Sequence, residues 1–146
     1  MIEVGKRKKM TGNKSEQCYR TVEELFNYKG FKCIVILNEI VASHKEIEGM
    51  KWRCGYVGVP KEHPLYKKTY EDIEVRNKIS VHGGITFAQS GDDISWSKEY
   101  WWIGFACNNY GDNTKYWTFK EVKKELKEFA EQMTIKNLIL NGLGNN

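Results

Sequence analysis

The sequence predicts an α+β domain in which an antiparallel sheet of about five strands is backed by one C-terminal amphipathic helix. Three observations carry this expectation. Short apolar runs rich in β-branched and aromatic residues (FKCIVIL, MKWRCGYVGV, VHGGITFA and YWWIGFAC) are separated by polar or glycine-containing turns. The clearest helical periodicity comes after them, from Thr118 to Met133. Strands first and a helix last is the order of an α+β fold rather than of alternating βαβ units.

Residues 1–17 lack apolar periodicity and are expected as a flexible basic tail, with 18–146 forming a single α+β domain. Glu23–Tyr28 and Phe31–Leu37 flank Lys29-Gly30 as a hairpin, and a helix over 15–28 is the competing reading of its first arm. Asn38–Gly49 reads as a long polar turn. Met50–Val59 is a strand ended by Pro60, with Trp52, Cys54 and Tyr56 on one face and Arg53, Gly55 and Val57 on the other. In PKEHPLYKKTYEDIE, Pro64 favours a loop or a short helical turn.

Ser80–Ala88 is the next strand, and Gln89–Ser97 a turn-rich connection. Tyr100–Cys107 is apolar on both faces, so it is expected to be covered on both sides. Thr118 and Glu121 make a capping box, and Phe119, Val122, Leu126, Phe129, Ala130 and Met133 recur on one helical face. The tail TIKNLILNGLGNN is expected as a short edge strand or a segment swapped onto a partner chain.

Composition narrows the function classes. The chain of 146 residues suits one core and is too short for two. No apolar run approaches the length of a membrane span, and the polar N-terminus does not read as a secretory signal, so a cytoplasmic protein without membrane contact is expected. Lys6, Arg7, Lys8, Lys9 and Lys14 against Glu3 account for the whole net charge of +4. The body is therefore neutral, and no basic folded face for duplex nucleic acid is expected. Cys18, Cys33, Cys54 and Cys107 stand far apart and form no short-range pair with each other or with His44, His63 and His82. They read as reduced and mostly buried, with no metal site and no cofactor.

Candidate chemistry centres on VHGGITFA. If this segment is a strand, Val81, Gly83, Ile85 and Phe87 face the helix, and His82, Gly84, Thr86 and Ala88 form a sparse opposite face. That face either packs under aromatic rings of the protein or leaves a groove for a ligand. Tyr100 and Trp102 share one face of the neighbouring strand, with Trp101, Ile103 and Phe105 on the other. One aromatic set would then border His82 and offer a stacking platform. NNYGDNT at 108–114 is ordinary turn chemistry that also supplies Asn108, Asn109, Asp112 and Thr114 as polar contacts. Arg53 and Arg76, with Lys61, Lys67 and Lys68, are the candidates for anion contact. No GxxxxGK[ST], strand–GxGxxG–helix unit or GxSxG elbow is present.

Together, RCGYVGVPKEHPLY, VHGGITFA and WWIGFACNNYGD resemble the GYVGVP…HPLY…HGG[IL]T[FY]…WW[IF]GF…GD series of a family of small phage- and prophage-encoded proteins, over roughly residues 50–130. The resemblance singles out Tyr56, His63, Pro64, Tyr66, His82, Gly83, Gly84, Thr86, Trp101, Trp102, Asp112 and the capped helix. Relatives often carry an acidic residue and a histidine where this chain has Ala106 and Asn109, a departure that disfavours a metal or acid–base role and favours binding. Small phage proteins frequently counter host defence. One strategy is to sequester cyclic-nucleotide or ADP-ribose-type immune signals in an aromatic-lined pocket, usually in an oligomer.

The resemblance supplies a phage context, and that context together with the aromatic and polar content leads to the expectation of a non-catalytic homo-oligomer that binds a small nucleotide-like ligand in the host cytoplasm. In that reading Tyr56 and Trp101 or Trp102 stack on the ligand. His82, Thr86, Asn108 and Asp112 hydrogen-bond it, Gly84 offers bare backbone and Arg53 meets an anion. Two alternatives stand beside it. One is a metal-independent hydrolase or phosphodiesterase with His82 as general base. The other is a protein-binding inhibitor of a host factor that uses the aromatic surface as its anchor.

Overall fold

Lys29 and Gly30 both adopt positive φ (53° and 85°), the two-residue turn whose twist matches that of paired strands, and Tyr28 pairs with Phe31 across it. This hairpin joins the two longest strands of the sheet. The computed structural model describes residues 3–12, 16–42, 50–91 and 97–141, and within them six strands form one antiparallel sheet. They are β1 (Arg7–Gly12), β2 (Glu16–Tyr28), β3 (Phe31–Ala42), β4 (Met50–Val59), β5 (Phe87–Ser90) and β6 (Trp101–Ala106), in the order β1-β2-β3-β4-β6-β5. Helices α1 (Phe119–Gln132) and α2 (Ile135–Leu140) follow. The class is α+β. No helix among the described residues is long and apolar enough to cross a membrane.

Helix α1 starts where the capping box predicts: the Thr118 side chain accepts a hydrogen bond from Glu121 N. Its stripe of Val122, Leu126, Phe129, Ala130 and Met133 is buried against Val35, Val57, Ile103 and Phe105 of the sheet. Each fully buried Leu, Ile or Phe contributes about 1.5–3 kcal/mol, so this stripe is what docks the helix. The other face of the sheet buries a second cluster of Ile34, Ile36, Cys54, Tyr56 and Trp102. Both faces of β4 and β6 are therefore covered, as the apolar run over 100–107 predicts.

Between β4 and β6, a glycine stands opposite three of the large rings. Gly55 pairs with Phe105, Gly104 with Tyr56 and Gly58 with Trp102. A Cβ on Gly55 would stand 2.7 Å from the Phe105 ring, and one on Gly58 would stand 2.8 Å from the Trp102 ring. The rings lie across bare backbone, which is why two aromatic layers fit on neighbouring strands.

Several expectations are revised. Part of the segment expected as a tail, Arg7–Gly12, pairs antiparallel with β2 as an edge strand. Residues 16–28 form one long strand and no helix, because they pair along their length with β3 and over Gln17–Thr21 also with β1. Asn38–Ala42 belongs to β3 instead of a turn, and the turns expected over 43–49 and 92–96 lie outside the described residues. The C-terminal segment forms the helix α2, capped by Thr134 and anchored by buried Leu138, so the expected edge strand is not formed.

The largest revision concerns residues 80–86. Only Phe87–Ser90 pairs with β6, and Val81–Gly84 is a turn closed by Gly84 N donating to Val81 O at 2.9 Å. Gly83 and Gly84 adopt φ of +70° and +83°, which breaks the strand alternation. The predicted faces fail with it: Val81 and Ile85 pack in the helix-side core, but Phe87 packs on the far side, edge-to-face with Tyr56.

Candidate functional site

Two tight turns, one on each side of β6 in sequence, meet at the end of the sheet beside α1. In the first, His82 occupies position i+1 and Gly83 position i+2, where the left-handed φ of a type II turn requires glycine. In the second, Asn109–Asp112, Gly111 takes the same position with φ +89°, and Asp112 N donates to Asn109 O at 2.8 Å. Identical local chemistry thus presents His82 from one loop and Asp112 from the other.

The turns lock together through side chains. His82 Nε2 lies 3.0 and 2.9 Å from the two Asp112 carboxylate oxygens. Asn109 donates to the same carboxylate through its backbone N (2.9 Å) and its Nδ2 (3.1 Å). Partial burial pushes the Asp112 carboxyl up, but the hydrogen bonds from His82 and Asn109 outweigh it and hold the group below its ordinary value. The Asn109 amide also answers what approaches Gly83: a Cβ there would stand 2.8 Å from Asn109 Cγ. Over Gly84 lies the Glu74 carboxylate, 3.6 Å from where a Cβ would be. Gly83 makes room for the Asn109 side chain, whereas a Cβ on Gly84 would meet Glu74 in ordinary contact, so Gly84 is required by its backbone conformation of φ +83°.

The first loop is fastened to its surroundings at several points. Glu125 of α1 accepts from His82 N (2.8 Å), and Glu74, in the π-helical turn Asp72–Arg76, accepts from Ile85 N (2.8 Å). Gln132 clamps Ser80 by accepting from its N (2.8 Å) and donating to its O (2.7 Å). The His82 ring rests on Trp117, with centroids 4.2 Å apart and planes at 37°. Tyr116 packs edge-to-face on Trp117 and is largely exposed, as is Tyr110 at the tip of the second turn.

Arg53 positions the second loop. Its backbone O accepts from Cys107 N (2.9 Å), and its Nη1 donates to Trp117 O (3.2 Å). The rest of the guanidinium is held by Glu23 through Nε (2.6 Å) and Nη2 (3.2 Å). Glu23 sits at the register shift between Val22 and Glu24, where β2 bulges against β3. Such a bulge re-aims a side chain, here toward Arg53. Arg53 is therefore engaged within the protein and does not present its charge as an anion contact.

The structure brings together His82, Gly84 and Asp112, with Asn108 exposed on the same second loop. It separates the aromatic residues expected beside them. Tyr56 and Trp102 are buried on the opposite face of the sheet, where burial pushes the Tyr56 phenol up and Trp102 Nε1 donates to Ser97 O (3.0 Å). Trp101 donates to Lys68 O (2.9 Å) and faces Tyr66. Thr86 is exposed, and its N donates to Gly104 O (2.9 Å), joining it to β6 beside the start of β5. The ring against His82 is instead Trp117, with Tyr116 packed on Trp117 in turn, aromatic residues interleaved with polar ones in NNYGDNTKYW.

Burial first, then the charge of Asp112, pushes the Cys107 thiol up to about 12, so it is not a thiolate nucleophile. Among the described residues, no group of three or more His, Cys, Asp or Glu side chains could hold a metal ion. A shallow groove of about 690 Å³ lies along α1 between Tyr28, Phe119, Lys123 and Lys127, apart from every expected site residue. Ion pairs Lys123–Glu24 and Lys29–Glu131 balance charge beside it. No family model matches the chain, and neither a curated protein nor a solved structure matches it.

Proposed function

We propose that this chain is a non-catalytic binder of a small nucleotide-like ligand, and that it serves as a phage-type anti-defence protein sequestering a cyclic-nucleotide or ADP-ribose-type signal in the host cytoplasm. The observation that carries the binding reading is the His82 ring, 28% exposed, oriented by Asp112 at 2.9 Å and backed by Trp117 at 4.2 Å. A hydrogen-bonding imidazole beside aromatic faces suits a ligand with a ring to stack and polar edges to read. The anti-defence part rests on the resemblance of residues 50–130 to small phage-encoded proteins. Self-association belongs to the same reading, with β5 as an open edge of only four residues.

The test is to incubate the protein with cyclic nucleotides and ADP-ribose derivatives, remove unbound material, denature the protein and identify what is released. Recovery of intact ligand from wild type, but not from His82→Ala, supports sequestration. Release of no ligand from any incubation refutes it. A second reading, a metal-independent phosphodiesterase, is favoured by the same carboxylate-oriented imidazole, which is the geometry of a general base. It predicts chemically altered ligand on release, and His82→Ala that binds without turnover.

A further inference from the structure

The hydrogen bonds around His82 bear on which end of a ligand can reach it. An ionised carboxylate only accepts hydrogen bonds. Both Asp112 oxygens lie within 3.0 Å of Nε2, so Nε2 carries a proton, and in the neutral form of the ring Nδ1 is the acceptor. Among the described residues, the hydrogen bonds of His82 are those to Asp112 and Glu125, and neither involves Nδ1.

The groups that fasten the loop are acceptors as well. Glu125 uses one carboxylate oxygen on His82 N, and Glu74 uses one on Ile85 N, so each keeps a second oxygen with lone pairs. The cation on the neighbouring strand, Arg53, is taken up by Glu23 and Trp117 O. A phosphate, which offers only acceptors and negative charge, meets like groups at Asp112, Glu125 and Glu74. A sugar hydroxyl or an exocyclic base amine meets partners.

We propose that this site reads the nucleoside end of its ligand. A ribose hydroxyl or base amine donates to His82 Nδ1 while the base lies against Trp117 and Tyr116, and the phosphate groups contribute little. The inference rests on the nucleotide-binding reading above and narrows it.

Titration calorimetry on the full chain at pH 8 compares the four nucleosides with their 5′-monophosphates, their cyclic mono- and dinucleotides and ADP-ribose, with inorganic phosphate as competitor. The expected result is a nucleoside affinity within about threefold of that of the matching nucleotide, with no displacement by phosphate. His82→Gln keeps an amide donor toward Asp112 and removes the ring acceptor. In a protein shown to be folded by its near-UV spectrum, it is expected to weaken nucleoside and nucleotide alike by about tenfold, the loss of one hydrogen bond.

A nucleotide that binds while its nucleoside is more than about tenfold weaker overturns the inference and leaves nucleotide binding standing. Displacement by phosphate, or unchanged affinity in folded His82→Gln, does the same. Absence of binding by every probe overturns both readings.

Discussion

Gly83→Ala adds one methyl at the junction of the two turns, and its cost has two separable parts. The first is the left-handed backbone at φ +70°, worth about 1–2 kcal/mol for a residue with a Cβ. The second is the contact with Asn109, whose Cγ would lie 2.8 Å from the new carbon. Asn109 must move, and its Nδ2 donates to Ala106 O (3.0 Å) and to Asp112 (3.1 Å). Losing these bonds adds roughly 1–2 kcal/mol, for a total of about 2–4 kcal/mol. Gly30→Ala calibrates the backbone part, because Gly30 has φ +85° and nothing within 4 Å of its added Cβ. Urea denaturation of both variants, and of each combined with Asn109→Ala, forms a double-mutant cycle. Removing the Asn109 side chain should lower the cost of Gly83→Ala to that of Gly30→Ala. If Gly83→Ala costs no more than Gly30→Ala with Asn109 in place, the packing of Asn109 on Gly83 is refuted.

Three further outcomes are expected. His63 donates from Nε2 to Met133 O (2.8 Å) and accepts from Leu65 N at Nδ1 (3.1 Å), and burial pushes the imidazole below its ordinary value. Its contribution is full above the unfolded pKa of about 6.5 and is lost as pH falls toward the lower folded value. The stability difference between wild type and His63→Gln should therefore shrink from pH 8 to pH 5, and a constant difference contradicts this. Gly104→Ala places a methyl 2.6 Å from Tyr56 Cε1 and 3.0 Å from Gly55 O, and should cost about 1–3 kcal/mol by denaturation. A cost under about 0.5 kcal/mol would show that the sheet yields there. Thr118→Ala removes the α1 cap and should cost about 1 kcal/mol, with Thr118→Ser restoring most of it.

The sheet was legible in β3, β4 and β6 from short apolar runs rich in branched and aromatic residues, with alternation assigning the faces of β4. Trp52, Cys54 and Tyr56 fall on one face of β4, and Arg53 and Val57 on the other, as alternation requires. Helix α1 was legible because cap, stripe and charged face agree. The failure at VHGGITFA has a local cause and a distant one. Two adjacent glycines permit a type II turn as readily as a weak strand. The groups that decide between them, Glu74, Asn109, Asp112 and Glu125, come from elsewhere in the chain.

The site was half legible for the same reason. His82 and Asp112 stood out by residue type, and their proximity depends on two turns that periodicity does not report. Tyr56 and Trp102 fit the site only while residues 80–86 are read as a strand with its sparse face beside theirs. Once the chain turns at Gly83, His82 meets Trp117 instead, a residue that stands just before the Thr118 cap and that no sequence motif singled out.

The most direct test of the His82–Asp112 pair as a ligand site is an NMR titration of isotope-labelled protein with nucleotides and nucleosides. Binding there predicts chemical-shift changes concentrated on His82, Asp112 and Tyr116, with the largest indole change at Trp117, and their loss in His82→Gln. Changes confined to the Tyr28–Lys127 groove, or none with any of these ligands, would contradict it.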